Sequence, residues 1–229
     1  SKAICRFGDG IVEIGVFFMD FIKEPMAIEN RSMELIAPHL EGLNLDERAT
    51  KVYSRLIHAS GDVGYAPITR VHPEAIDRAI EALKSGAHIY TDVEMVRTGI
   101  NKKKLASFGG EVHCLVADAD VAVRAKELGI TRSMVAMRQF GKALDGSIVA
   151  IGNAPTALFE VLRMVREEGI RPACIVGIPV GFVGAAESKA ELTENGIVPY
   201  ITVEGTKGGS PIAAAAVNAL MYLIDNTRP

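Results

Sequence analysis

From residue 71 onward the chain repeats one rhythm: a short β-rich run, a glycine-bearing turn, then a helical pattern. That alternation restricts the fold more than any other feature, because parallel neighbouring strands need a crossover between them, usually a helix. The β-rich runs are His88–Thr91, Glu111–Val116, Ile148–Ile151, Cys174–Ile178 and Pro199–Val203. Helical patterns occur at Pro73–Ser85, Asp120–Leu128, Ser133–Ala143, Pro155–Glu168, Ala185–Glu194 and Ser210–Ile224. Five strands so arranged predict an open, mostly parallel sheet covered on both faces, a three-layer α/β/α fold with right-handed crossovers. Ahead of this rhythm, Ile4–Phe7 and Ile11–Phe18 flank Gly8-Asp9-Gly10 and predict an N-terminal β-hairpin. Two helical patterns follow, Ala27–Leu40 and Leu45–Ser60. No linker, low-complexity tract or repeat interrupts the pattern, so residues 1–229 are expected to form one domain.

Composition narrows the partners. The chain carries 25 Lys plus Arg against 28 Asp plus Glu, a net charge of −3, and no basic stretch interleaved with aromatics. A nucleic-acid surface is therefore not expected. The longest apolar run, Ile212–Leu220, is too short to span a bilayer. Cys5, Cys114 and Cys174 are odd in number and far apart, which suits a reducing compartment. With no signal-peptide pattern at the start, a cytoplasmic protein is expected.

In parallel sheets ligands bind beyond the carboxyl ends of the strands. Three glycine-rich segments are predicted there: 152–155 (GNAP), 177–184 (GIPVGFVG) and 205–210 (GTKGGS). Their backbone amides, at helix N-termini, are expected to suit anions; the other reading of each loop is a tight turn that packs a helix on the sheet. None has the spacing of a dinucleotide or P-loop motif, and no G-x-S-x-G elbow is present. The histidines (39, 58, 72, 88 and 113) lack the spacing of a helical metal pair, so no bound catalytic metal is expected.

His58 stands apart from the other four. The apolar stripe of its helix runs through Leu45, Ala49, Val52, Leu56 and Ala59, and His58 falls roughly opposite, beside Lys51 and Ser54. Gly61 is expected to end the helix, placing the imidazole in the last turn with Asp62 close behind, where a protonated ring is favoured. Such a group suits a general acid, although the pattern by itself fits a solvated surface histidine better. Arg132 and Ser133 open a helix and could fork onto a carboxylate or form an ordinary surface pair. Lys189 reads as a snorkelling surface lysine, and Lys102–Lys104 as a solvated loop run.

Taken in order, the segments 28–32 (IENRS), 57–62 (IHASGD), 91–96 (TDVEMV), 131–133 (TRS), 150–159 (AIGNAPTALF), 177–189 (GIPVGFVGAAESK) and 208–210 (GGS) resemble the precorrin-8X methylmutase family of cobalamin biosynthesis, including cobalt-precorrin-8 methylmutases. The likeness runs from about Asp20 to the C-terminus; residues 1–19 lie outside it. It implies migration of one methyl group from C-11 to C-12 of the corrinoid ring, giving hydrogenobyrinic acid, or cobyrinic acid when cobalt is present. It also implies His58 as the catalytic histidine and Ser32 as a substrate contact. Arg132, Ser133, Asn153 and Lys189 are the further substrate-binding residues it points to. No cofactor is expected, and the implied partners are a tetrapyrrole-derived polycarboxylate and a second copy of the chain. Two other readings stay open: a corrinoid carrier without turnover, and an S-adenosylmethionine-dependent methyltransferase.

Overall fold

The structure is a computed structural model that describes residues 2–7, 10–15 and 21–225. Strands β1 (Lys2–Phe7) and β2 (Gly10–Gly15) pair antiparallel as the hairpin pattern requires; the turn at Gly8-Asp9 and the end at Val16–Phe18 lie outside the described residues. Helix α1 (Pro25–Ile36) starts with Pro25 at its first position and Glu24 capping the amides of Met26 and Ala27. Helix α2 (Glu47–Ser60) is capped by Asp46, which accepts from the Ala49 amide, and stopped by Gly61 at φ 63°. That is the left-handed conformation glycine adopts without cost.

The main sheet has six strands rather than five. To β4 (Ile89–Thr91), β5 (Val112–Cys114), β6 (Ile148–Ile151), β7 (Cys174–Gly177) and β8 (Tyr200–Val203) it adds β3 (Thr69–Val71), antiparallel to β8. The order is β3-β8-β7-β6-β4-β5, and the other pairs are parallel. Three residues at a sheet edge show no period, so β3 leaves no trace in the sequence.

The alternation of side chains along each strand separates two cores. Ile148 and Ala150 face α2, α3 (Ala75–Lys84), α4 (Glu94–Gly99) and α10 (Ser210–Asp225), while Val149 and Ile151 face α7 (Arg132–Phe140), α8 (Pro155–Glu167) and α9 (Ala185–Asn195). A small third cluster joins α6 (Ala119–Leu128) to α7. The three-layer α/β/α arrangement is as expected.

Lys102–Lys104 is not a loop. Asn101 accepts from the Lys104 amide and starts α5 (Lys102–Ser107), and Lys104 bonds Asp225 at 2.6 Å. A capping Asn and a distant acid turn a basic run into a helix docked on α10.

Candidate active site

Three loops leave the carboxyl ends of adjacent strands β6, β7 and β8, and they are the glycine-rich segments. Two are stitched together: the Gly181 amide donates to the Thr206 carbonyl at 3.1 Å, and the Gly209 amide to Ile178 at 3.0 Å. Gly208 makes this possible, since at φ 156° a Cβ would lie 2.6 Å from the Ile178 carbonyl oxygen.

Between β4 and β6 the direction of strand addition reverses, which is where an open α/β sheet offers its crevice. Here the protein fills that crevice itself. Asp92, fully buried at the end of β4, accepts from the amides of Gly152 (3.0 Å), Asn153 (2.9 Å) and Ala154 (2.7 Å) at the start of α8. Burial pushes the Asp92 carboxyl up, and the three amides pull it back. The expectation that these amides await a ligand anion is thus corrected: an internal carboxylate holds them. Asp92 lies in the segment 91–96, but nothing in its spacing signals a partner sixty residues away.

The open cleft lies on the other face, between α1, α2 and α10. It measures about 490 Å³ and is lined by Ile28 and Glu29 of α1, Arg55, His58 and Ala59 of α2, and Ala215, Asn218 and Tyr222 of α10. His58 is exposed at this cleft, in the last turn of α2. The helix face it occupies is turned from the expected one: Ala59 faces the cleft, and Tyr53 and Ile57 fill the core instead.

Arg55, three residues before His58 and on the same helical face, was not singled out by the sequence pattern, although the i, i+3 spacing carries that signal. Its guanidinium pairs with Glu29 at 2.5 Å, both side chains being 11% exposed, and lies 5.7 Å from the Tyr222 ring centroid. Asn218 lines the cleft but spends its amide on structure, accepting from the Asn101 amide and donating to the Gly99 carbonyl. Ser32 sits one turn along α1 from Ile28 and donates its hydroxyl to the Ile28 carbonyl at 2.8 Å.

Asp62 bonds partners other than His58. Its carboxylate takes Lys207 at 2.5 Å and the Gly64 amide, which hold its pKa below the usual carboxylate range. With the Tyr65 hydroxyl donating to Gly208, this pair fastens the end of α2 to the β8–α10 loop.

Lys189 is not a surface lysine. It is 1% exposed beneath the joined loops, and its Nζ donates to the Lys207 carbonyl at 2.5 Å. Burial lowers its pKa to about 8. The unfolded chain keeps that proton to ~10.4, so between these values the unfolded state binds more protons and stability rises with pH. Between pH 7.5 and 9.5 the wild type should gain ~2 kcal/mol relative to Lys189→Met in urea-unfolding free energies. Parallel pH curves for the two proteins would contradict this.

Arg132, Ser133 and Asn153 form a separate group that does not line the His58 cleft. Thr131 caps α7 and meets Thr156 of α8 at 2.9 Å; Arg132 and the Asn153 side chain are exposed, and Ser133 is buried. The two helices are locked further along by buried Glu160, which receives Arg138 at 2.8 and 3.0 Å and Arg163 at 2.6 and 2.9 Å. Burial alone would raise the Glu160 carboxyl, but the two guanidinium groups hold it below its ordinary value.

Comparison with known proteins agrees with this architecture. The precorrin-8X methylmutase family model matches residues 27–223. A cobalt-precorrin-8 methylmutase of Priestia megaterium is 41% identical over 91% of this chain and 92% of its own length. A precorrin-8X methylmutase of a Sinorhizobium species is 43% identical over 88% and 96%. The crystal structure of a precorrin-8X methylmutase from Thermus thermophilus superposes with a TM-score of 0.80 at 38% identity, covering 87% of this chain and 96% of that one.

Proposed function

The chain belongs to the precorrin-8X methylmutase family, and on that premise we propose that it is an isomerase moving a methyl group from C-11 to C-12 of precorrin-8X or its cobalt form, with His58 as the general acid. The observation that carries the assignment of the acid is the exposed imidazole at the mouth of the α1–α2–α10 cleft. In the reaction the methyl carbon's bond to C-11 breaks as its bond to C-12 forms. A proton lent by His58 to the conjugated ring lowers the energy of the electron-poor migrating state, and its return leaves substrate and product as isomers. No methyl donor or electron acceptor enters that balance. The product is hydrogenobyrinic acid, or cobyrinic acid from the cobalt substrate.

Ser32, on the helix that walls the cleft, and Arg132, Ser133 and Asn153, at the starts of α7 and α8, are assigned to the carboxylate-bearing rim of the macrocycle. Arg132 supports this most directly, being an exposed fork-shaped donor at a helix N-terminus. Lys189 belongs to the same assignment through the loops it supports, since its buried amine meets the Lys207 carbonyl.

The enzyme works as a homodimer in this reading. An open cleft of about 490 Å³ covers only part of so large a ligand, and Arg132 lies outside it. Val180, Phe182 and Val183 add an exposed apolar tip at the carboxyl edge of the sheet, Phe182 being 94% exposed. Residues 1–229 are read as one methylmutase domain in the cytoplasm, with 1–19 an extension outside the matched stretch. Among the described residues no helix is long and apolar enough to cross a membrane, and Cys114 and Cys174 are unpaired thiols.

Purified protein should convert the cobalt-free or the cobalt-containing precorrin-8 substrate without S-adenosylmethionine, seen as a shift of the visible spectrum. Failure with both substrates would overturn the assignment, and stoichiometric product binding without turnover would make the chain a carrier.

A further inference from the structure

The sheet brings together two histidines that the sequence keeps 25 residues apart. Strands β4 and β5 are parallel, with Ile89 opposite Val112 and Tyr90 opposite His113. The same register sets His88 opposite Glu111, and two-residue periodicity puts 88, 111 and 113 on one face of the sheet edge. His113 Nε2 lies 3.1 Å from His88 Nδ1 and 4.0 Å from a Glu111 carboxylate oxygen. One ligand atom from each residue falls within 4.8 Å of the others. Two nitrogens bound to one tetrahedral zinc stand ~3.3 Å apart, given Zn–N bonds of ~2.0–2.1 Å.

We propose that His88, Glu111 and His113 form a binding site for a divalent transition-metal ion of the zinc type, at the end of β4 and β5 opposite the glycine-rich loops. Two imidazoles and one carboxylate are a donor set that borderline ions such as Zn²⁺ prefer over Mg²⁺ or Ca²⁺. The ring planes are held in place. Tyr90 stacks on His113 with centroids 5.2 Å apart, and the Glu111 amide donates to His88 Nδ1 at 3.2 Å. Metal binding exchanges that contact, and the hydrogen bond between His113 Nε2 and His88 Nδ1, for coordinate bonds. Glu111 is largely exposed and free to swing its carboxylate inward, and solvent supplies the fourth ligand. The nearby cation, Arg97, is engaged by Glu94 at 2.9 Å and by the Val112 carbonyl at 3.3 Å. Sequence spacing could not reveal this site, because its ligands are neighbours only through strand pairing.

The test is calorimetric titration of the purified full chain with Zn²⁺ in a non-coordinating buffer, together with melting curves. One saturable site per chain is expected, and an excess of ~100-fold over Kd should raise the Tm by ~5–10 °C. His88→Ala and His113→Ala should each weaken binding ~10-fold or more while their metal-free melting and methylmutase turnover stay near wild type. Glu111→Gln should weaken it less. Absence of saturable binding, or undiminished affinity in both histidine variants, would overturn the site without touching the methylmutase reading.

Discussion

Replacing His58 by Ala should lower turnover by ~10²–10⁴-fold, the contribution one positioned acid commonly makes. The corresponding rise in barrier is ~3–5 kcal/mol. The fold should be indifferent to the change. His58 is exposed in the last turn of α2, and that turn is held by Gly61, by the Asp62–Lys207 pair and by the buried side chains of Leu56 and Ile57. Melting should therefore stay within ~0.5 kcal/mol of wild type, as for most surface substitutions. The decisive measurement is single-turnover conversion of the precorrin-8 substrate by wild type and variant at equal occupancy. An unchanged rate would remove His58 from the chemistry while leaving family membership intact.

Asp92→Ala should have the largest effect on stability. The substitution leaves three amide groups at the head of α8 without their acceptor, that of Gly152 being buried and those of Asn153 and Ala154 half-buried. Hydrogen bonds to a charged group contribute ~1.5–3 kcal/mol each before relaxation, so a net loss of ~3 kcal/mol is expected. In a domain of this size that lowers Tm by ~6–12 °C. Asp92→Asn, which keeps one acceptor oxygen, should fall between the two. A Tm for Asp92→Ala within a degree or two of wild type would show that the junction does not depend on the carboxylate. Because the same amides lead into Asn153, turnover should fall with stability.

Much of the chain was legible from local pattern. Strands β4 to β8 and the longer helices declare themselves, because buried strands are apolar runs and amphipathic helices carry a periodic face. Caps and stops such as Asp46 and Gly61 act through bonds to residues three or four away, so their chemistry is visible in sequence. The short elements β3, α4 and α5 were not visible, since a few residues cannot display a period. Within the site, His58 was legible through its motif and its place on the helix, and the likeness to a known family supplied the role proposed for it.

What the sequence by itself determined is the α/β alternation, the glycine-rich turns at the carboxyl edge and the identity of the residue proposed as the acid. Only the tertiary structure decided that Asp92 closes the crevice between β4 and β6, that Arg55 and Glu29 wall the cleft, that Lys189 points inward, and that His88 meets His113. The reason is one of range. Periodicity, caps and turns act within a few residues of chain, whereas these four arrangements come from strand register and helix docking between segments 18 to 62 residues apart.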